Sequence, residues 1–202
     1  MGLAARKQTA KFTYSDYLSW DDSERWEIIY GGAYNMSPAP DTIHQLISME
    51  LAFQLRSQLK EKSCQVIPAP FDVRLPVENQ TGDDIENVVQ PDISVVCDPG
   101  KLDEKGCLGA PDLIIEILSP STYRKDRMEK FFLYEHLGVK EYWLVSPGEK
   151  IVEIFLLGKD GKYGRPNLYC ESDTVRITAL PGLKIDLSSV FNIKIGLKDS
   201  LA

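Results

Sequence analysis

The sequence predicts an α/β (α+β) fold, a mixed central β-sheet flanked by helices with additional antiparallel strands. Three observations lead there. A helical stretch at 41–62 is followed by short apolar runs of strand length at 65–75, 88–97 and 113–118. A second helical stretch then runs to Gly138, a residue suited to a helix C-terminus. It leads directly into Glu141-Tyr142-Trp143-Leu144-Val145, another strand. The order is therefore helix, three strands, helix, strand. A chain of 202 residues, 43% hydrophobic and 26% charged, has the length and composition for one domain with a sizeable core.

Taken in order, residues 1–12 lack periodicity and are expected to form a flexible N-terminus, with a single domain over 13–202. Trp26-Glu27-Ile28-Ile29 and Ala33-Tyr34-Asn35-Met36 read as two short strands around the Gly31-Gly32 turn. Ser37-Pro38-Ala39-Pro40 punctuates the chain, and Asp41 or Thr42 can cap the helix running to about Lys62. Ile43, Leu46, Ile47, Met49, Phe53 and Leu59 support packing of that helix. The strands at 65–75 and 88–97 are joined by a polar, acidic loop at 78–87. A glycine-bearing loop at 98–111 leads to the strand 113–118. Ser119-Pro120-Ser121-Thr122 opens the next helix. Beyond Pro147, residues 151–157 and 169–185 read as further strand, with a turn at 159–162.

Composition narrows the function. Cys64, Cys97, Cys107 and Cys170 are scattered without a C-x-x-C pair, which argues against a zinc site and for free thiols in a cytoplasmic protein. No signal-peptide pattern or bilayer-length apolar run is present, so no membrane partner is expected. A net charge of -7 opposes nucleic-acid binding in general, although acids that bind a metal are neutralised when it is held.

Chemistry concentrates at two carboxylates set in apolar runs. Asp92 follows Pro91 and opens Ile93-Ser94-Val95-Val96; Glu116 lies within Leu113-Ile114-Ile115-Glu116-Ile117-Leu118. Burying either costs several kcal/mol without a compensating cation or donor, and a divalent metal can serve both. On the following helix Lys130, Leu133, Tyr134 and Leu137 fall at i, i+3, i+4 and i+7, a face apolar apart from the lysine. Each residue alone has a plain structural role: a core carboxylate, a strand start, a lysine stem covering the core. Together they converge on one spot, because the helix must pack back on the sheet. Glu27 either approaches a metal or balances Arg25 on the hairpin. His44, in the first helical turn, is a cap, a core residue or a supporting site residue. Asp72 pairs with Arg74 or lies near the metal. Asp112 repeats the Pro-Asp pair as a strand start, and Glu50 carries no assigned role.

With these residues the chain resembles the PD-(D/E)XK nuclease superfamily, with its restriction-endonuclease-like core, and within it the Uma-type restriction-endonuclease family. The matching phrases include Trp26-Glu27-Ile28-Ile29-Tyr30-Gly31-Gly32, Val89-Gln90-Pro91-Asp92-Ile93, Ala110-Pro111-Asp112-Leu113-Ile114-Ile115-Glu116-Ile117-Leu118-Ser119-Pro120-Ser121 and Asp126-Arg127-Met128-Glu129-Lys130. They span about residues 13–190.

The resemblance implies a Mg2+- or Mn2+-dependent endonuclease acting on DNA. Asp92 and Glu116 would be metal ligands, helped by the Ile117 carbonyl, and Lys130 the catalytic lysine. Glu27 and His44 are the supporting residues. The third position of the superfamily's E-x-K signature is Leu118 here, so the lysine is displaced to the helix, at Lys130. The products implied are a 5'-phosphate and a 3'-hydroxyl. Two rivals stand beside this reading. One is a degraded nuclease fold kept for binding or homodimer formation, which the acidic charge and the missing strand lysine favour. The other is a metal-independent glycoside hydrolase using two carboxylates.

Overall fold

Proline and glycine decide where the strands of this protein break. The computed structural model describes residues 11–21, 24–36, 40–60 and 62–193. In chain order the elements are α1 (Tyr14–Tyr17), β1 (Trp26–Ile29), β2 (Gly32–Asn35), α2 (Thr42–Leu59), β3 (Gln65–Pro68), β4 (Val73–Arg74), β5 (Val88–Val89) and β6 (Ile93–Val96). They continue with β7 (Leu102–Asp103), β8 (Gly106–Leu108), β9 (Leu113–Ile117), a wide helical turn (Lys125–Lys130) running into α3 (Phe131–Leu137), and β10 (Glu141–Ser146). The last are β11 (Ile151–Leu156), β12 (Asn167–Cys170), β13 (Thr174–Arg176), β14 (Lys184–Asp186) and α4 (Leu187–Phe191).

The strands form two six-stranded sheets and a hairpin. The central sheet has the order β12-β11-β10-β9-β6-β3, the second sheet β2-β1-β5-β4-β8-β7, and β13 pairs with β14. The central sheet is mixed. Strand β9 runs parallel to β10, with Glu116 opposite Leu144, and antiparallel to β6, with Ile93 opposite Ile115. The β9-to-β10 connection is the crossover that a parallel pair requires, and its helix returns across the sheet.

Side chains of β9 alternate as a strand must. Leu113, Ile115 and Ile117 join Ile47, Leu51, Leu55, Trp143 and Phe191 in one layer, under α2 and α4. Ile114 and Leu118 join Leu133, Tyr134, Tyr142 and Leu144 in the other, against α3 and the second sheet. Glu116 therefore faces α3.

The two long predicted strands are each divided between the sheets. Residues 65–75 supply β3 to the central sheet and β4 to the second; residues 88–97 supply β5 to the second and β6 to the central. Pro68, Pro70 and Pro91 stand at the breaks, where a residue without an N–H cannot extend the ladder. This division carries the chain from one sheet to the other at Gln90-Pro91-Asp92. The region read as the loop 98–111 contains β7 and β8, which extend the second sheet. The 169–185 strand is divided in the same way: Tyr169 and Cys170 end β12, and β13 begins after a turn.

The β1–β2 turn uses Tyr30 and Gly31, with φ of 50° and 76°, so Gly32 already belongs to β2. Two successive left-handed residues are what a tight two-residue hairpin needs. Along α2 the buried face is Ile47, Leu51, Leu55 and Leu59, whereas Ile43, Leu46, Met49 and Phe53 are exposed. The expected packing role of those four is corrected accordingly. Asp41 caps this helix by accepting from the His44 amide.

The expected frayed N-terminus lies outside the described residues up to position 10. Phe12 departs from it, because its amide donates to Gly31 O at 2.9 Å and its ring packs edge-on against Trp20. Residues 37–39 of the expected Ser-Pro punctuation also lie outside the described residues. The expectation of free thiols holds for Cys107 and Cys170, but Cys64 and Cys97 are disulfide-bonded. They flank the antiparallel β3–β6 pair at Gln65 and Val96, which brings their side chains together. Among the described residues no helix is long and apolar enough to cross a membrane.

Candidate active site

Three acids reach one place from three directions. Asp92 comes from the crossing between the sheets, Glu116 from the late part of β9, and Glu27 from β1. The Asp92 carbonyl accepts from the Ala69 amide at 2.9 Å, which ties it to the end of β3. Its Oδ2 accepts from the Ile117 amide at 2.7 Å and faces His44 Nε2 at 3.1 Å. A carboxylate oxygen accepts, so Nε2 is the donor in this contact. The Glu116 Oε2 in turn lies 3.4 Å from the Asp92 amide. Each acid is thus fixed against the other's strand.

Lys130 Nζ lies 2.8 Å from Glu116 Oε1, 2.8 Å from Glu27 Oε1 and 3.7 Å from Asp126 Oδ1. Tyr134, one helical turn on, donates its hydroxyl to the same Glu116 Oε1 at 2.9 Å. Glu27 Oε1 also accepts from the Gln90 amide at 3.0 Å, and Glu27 Oε2 pairs with Lys125 Nζ at 2.5 Å. Glu27, Glu116, Asp126 and Lys130 are all nearly or wholly buried.

The wide turn explains how two lysines grip one acid. In an α-helix, at about 100° per residue, positions five apart lie about 140° apart around the axis. Bonding from i to i+5, as in Lys125–Lys130, stacks such positions on one face. Lys125 and Lys130 therefore point the same way. The Tyr142 hydroxyl donates to the Asp126 carbonyl at 3.0 Å and pins this turn to β10.

Charge in this cluster is unbalanced. Three buried carboxylates, Glu27, Glu116 and Asp126, face two ammoniums, with Asp92 alongside. Burial would raise the Glu27 carboxyl, but Lys130 and Lys125 outweigh it and hold it at about 2. Burial raises Glu116 and Asp126 despite Lys130, and neighbouring acids raise them further. Lys130 is held in its charged form because its three carboxylates more than offset its own burial. For His44, burial pulls the imidazole down, and the bond to Asp92 more than reverses it. Acids are thus crowded around Glu116, whose carboxyl burial and its neighbours push up to about 8.

Both acids line a cleft of about 880 Å3 together with His44, Gln90, Ser119, Thr122 and Lys125. Among the described residues no group of three or more His, Cys, Asp and Glu side chains is arranged to hold a metal ion. Two carboxylates nevertheless fit Mg2+, which takes oxygen ligands, keeps several waters and is commonly bound by one or two acids plus substrate phosphate. A cation held between the two acids would relieve the crowding that raises Glu116.

The structure brings together all five site residues expected from the sequence: Asp92, Glu116, Lys130, Glu27 and His44. Glu27 does not balance Arg25, whose guanidinium bonds Gln90 Oε1. Asp72 pairs not with Arg74 but with Gln90 Nε2 at 2.8 Å and the Tyr17 hydroxyl at 3.0 Å. Asp112 is structural, accepting from the Cys97 amide and Lys140. Lys125 and Asp126 were not singled out from the sequence, because α-helical spacing places Lys125 off the Lys130 face. Tyr134 lies on the apolar face as a core residue would, and only its hydroxyl betrays its polar task.

A protein family, a further protein and a crystal structure share this chain's sequence or fold. The sequence profile of the Uma2 family, described as "Putative restriction endonuclease", matches residues 14–188. The chain is 28% identical to the Synechocystis protein described as "Uncharacterized protein slr1290", over 90% of this chain and 92% of that one. A crystal structure of a putative nuclease belonging to DUF820, from Anabaena variabilis, superposes with a TM-score of 0.69. It is 20% identical, and the match covers 89% of this chain and 97% of the other.

Proposed function

The chain belongs to the Uma2 family, described as "Putative restriction endonuclease", and we propose that it is a divalent-metal-dependent endonuclease acting on DNA phosphodiester bonds. The observation that carries this reading is the Lys130 ammonium 2.8 Å from Glu116, with Asp92 fixed beside it on the cleft. Asp92 and Glu116 would hold Mg2+ or Mn2+. When bound, the ion supplies polarisation of the phosphate and acidification of a water.

The protein's own groups do the rest. His44 and the Ile117 amide orient Asp92 through Oδ2. Lys130 and Tyr134 occupy Oε1 of Glu116 and so direct its other oxygen. The buried Lys130 charge stabilises negative charge developing on phosphorus, which is worth most where water is excluded. The displaced lysine thus takes the place of the strand lysine that Leu118 lacks.

The excess of acids in the cleft favours a second reading, a nuclease fold retained for binding without catalysis. Supercoiled-plasmid nicking separates the two. The protein should nick plasmid in Mg2+ or Mn2+ and lose that activity in EDTA and in Glu116→Ala. An inactive protein under all these conditions refutes the endonuclease reading. Activity that persists in EDTA refutes its metal dependence.

A further inference from the structure

An ammonium carries three N–H donors. Those of Lys130 face three carboxylates, at 2.8, 2.8 and 3.7 Å, and its side chain is 3% exposed. A phosphate entering the cleft finds no donor there unless the acid cluster is dismantled. Lys125 differs. Its bond is to Glu27 Oε2, and its side chain is 13% exposed on the cleft that both lysines line with Asp92 and Glu116. Two of its donors remain for an anion.

We propose that Lys125, presented to the cleft by Glu27 through the wide turn, is the cation that contacts a backbone phosphate of the nucleic-acid substrate. Glu27 is its positioning residue. Lys130 acts from beneath, on Glu116. The inference rests on the endonuclease reading and adds to it the residue that meets the substrate's charge.

The placement follows from sequence and turn geometry together. The i to i+5 turn puts Lys125 and Lys130 on one face, and Glu27 bridges them with its two oxygens, Oε2 to Lys125 and Oε1 to Lys130. Holding Lys125 by one oxygen fixes its stem without consuming its charge. The surroundings make such a cation consequential. Asp41, Asp92, Glu116, Asp126 and Glu149 line the cleft against Arg25, Lys125 and Lys130, and Arg25 is held by Gln90 and Lys130 by its acids, so an exposed ammonium counts.

The test uses the salt dependence of binding, because a lysine that neutralises a phosphate releases counterions and a lysine that only holds the fold does not. The slope of log K against log salt changes by about 0.9 per phosphate contact on duplex DNA. Binding of a short fluorescein-labelled duplex is followed by anisotropy in Ca2+ across a KCl series. Wild type, Lys125→Gln and Lys125→Arg are compared, each checked for cooperative melting. Lys125→Gln should bind more weakly, with a slope shallower by about 0.9. Lys125→Arg, which keeps the charge, should retain the wild-type slope. A wild-type slope in Lys125→Gln overturns the assignment of Lys125 alone. Absence of binding by the wild type overturns both this assignment and the endonuclease reading. Should Lys125→Gln fail to fold, Lys125→Met takes its place, with the same slope expected and the same result fatal.

Discussion

Lys130→Met keeps the apolar stem and deletes the ammonium, and so isolates what that charge does. Removing one partner of a buried ion pair costs about 3–5 kcal/mol, because a charge is left without compensation. Two features of the cluster place this site at the lower end. Glu27 keeps Lys125 and the Gln90 amide, and Glu116 keeps the Tyr134 hydroxyl. Glu116, whose carboxyl burial already raises, escapes the remaining penalty by taking up a proton. A loss of about 3 kcal/mol at neutral pH is expected, or about 6–12 °C in Tm for a chain of this size. The sign with pH follows. For an acid whose folded pKa is raised, the neutral form suits the fold, so the deficit is small below the unfolded pKa and grows as pH rises. Differential scanning calorimetry of both proteins at acidic, neutral and mildly alkaline pH reads this directly. Saturating Mg2+ should raise the Tm of Lys130→Met more than that of the wild type, since a divalent ion supplies the missing positive charge. A variant melting with the wild type at every pH would refute the reasoning. So would a deficit that shrinks towards high pH.

The remaining predictions follow from neighbouring contacts. Lys130→Ala should abolish plasmid nicking while Mg2+ affinity measured by calorimetry persists, whereas Glu116→Ala should abolish both; equal nicking by Lys130→Ala and the wild type would remove the lysine from the chemistry. Glu27, held at about 2 against an ordinary 4.5, contributes stability above pH 4.5 that is lost as pH falls towards 2. Over that range the wild type should lose on the order of 3 kcal/mol from this group, and Glu27→Gln should lack that part of the acid limb in urea titrations. In α2, Leu51→Ala should cost about 2–5 kcal/mol. Phe53→Ala, at a position 64% exposed, should stay within about 0.5 kcal/mol, and a larger effect in chemical denaturation would show that this face is covered in solution.

Legibility followed the periodicity of the chain. The strand at Leu113–Ile117 could be read with its faces assigned, because apolar residues flank Glu116 on both sides and alternation alone decides which way it points. The α3 face bearing Lys130 and Tyr134 was readable because it is regular α-helix from Phe131. Lys125 was not, since nothing in Tyr123-Arg124-Lys125-Asp126-Arg127 announces a turn of different pitch. The division of residues 65–75 and 88–97 between two sheets was signalled by Pro68, Pro70 and Pro91, but a break does not say where the chain goes next. The Cys64–Cys97 pairing depends on the β3–β6 register, which spacing along the sequence does not reveal. On α2, apolar residues surround most of the helix, so their pattern could not separate the buried Ile47, Leu51 and Leu55 from the exposed Leu46, Met49 and Phe53.

The central claim is that Asp92 and Glu116 together form a divalent-metal site, and Mg2+ titration calorimetry of the wild type beside Asp92→Ala tests it most directly. Saturable binding to the wild type and its loss in Asp92→Ala are expected, with the variant still melting cooperatively. A wild type that takes up neither Mg2+ nor Mn2+, or an Asp92→Ala variant that binds as the wild type does, would contradict it.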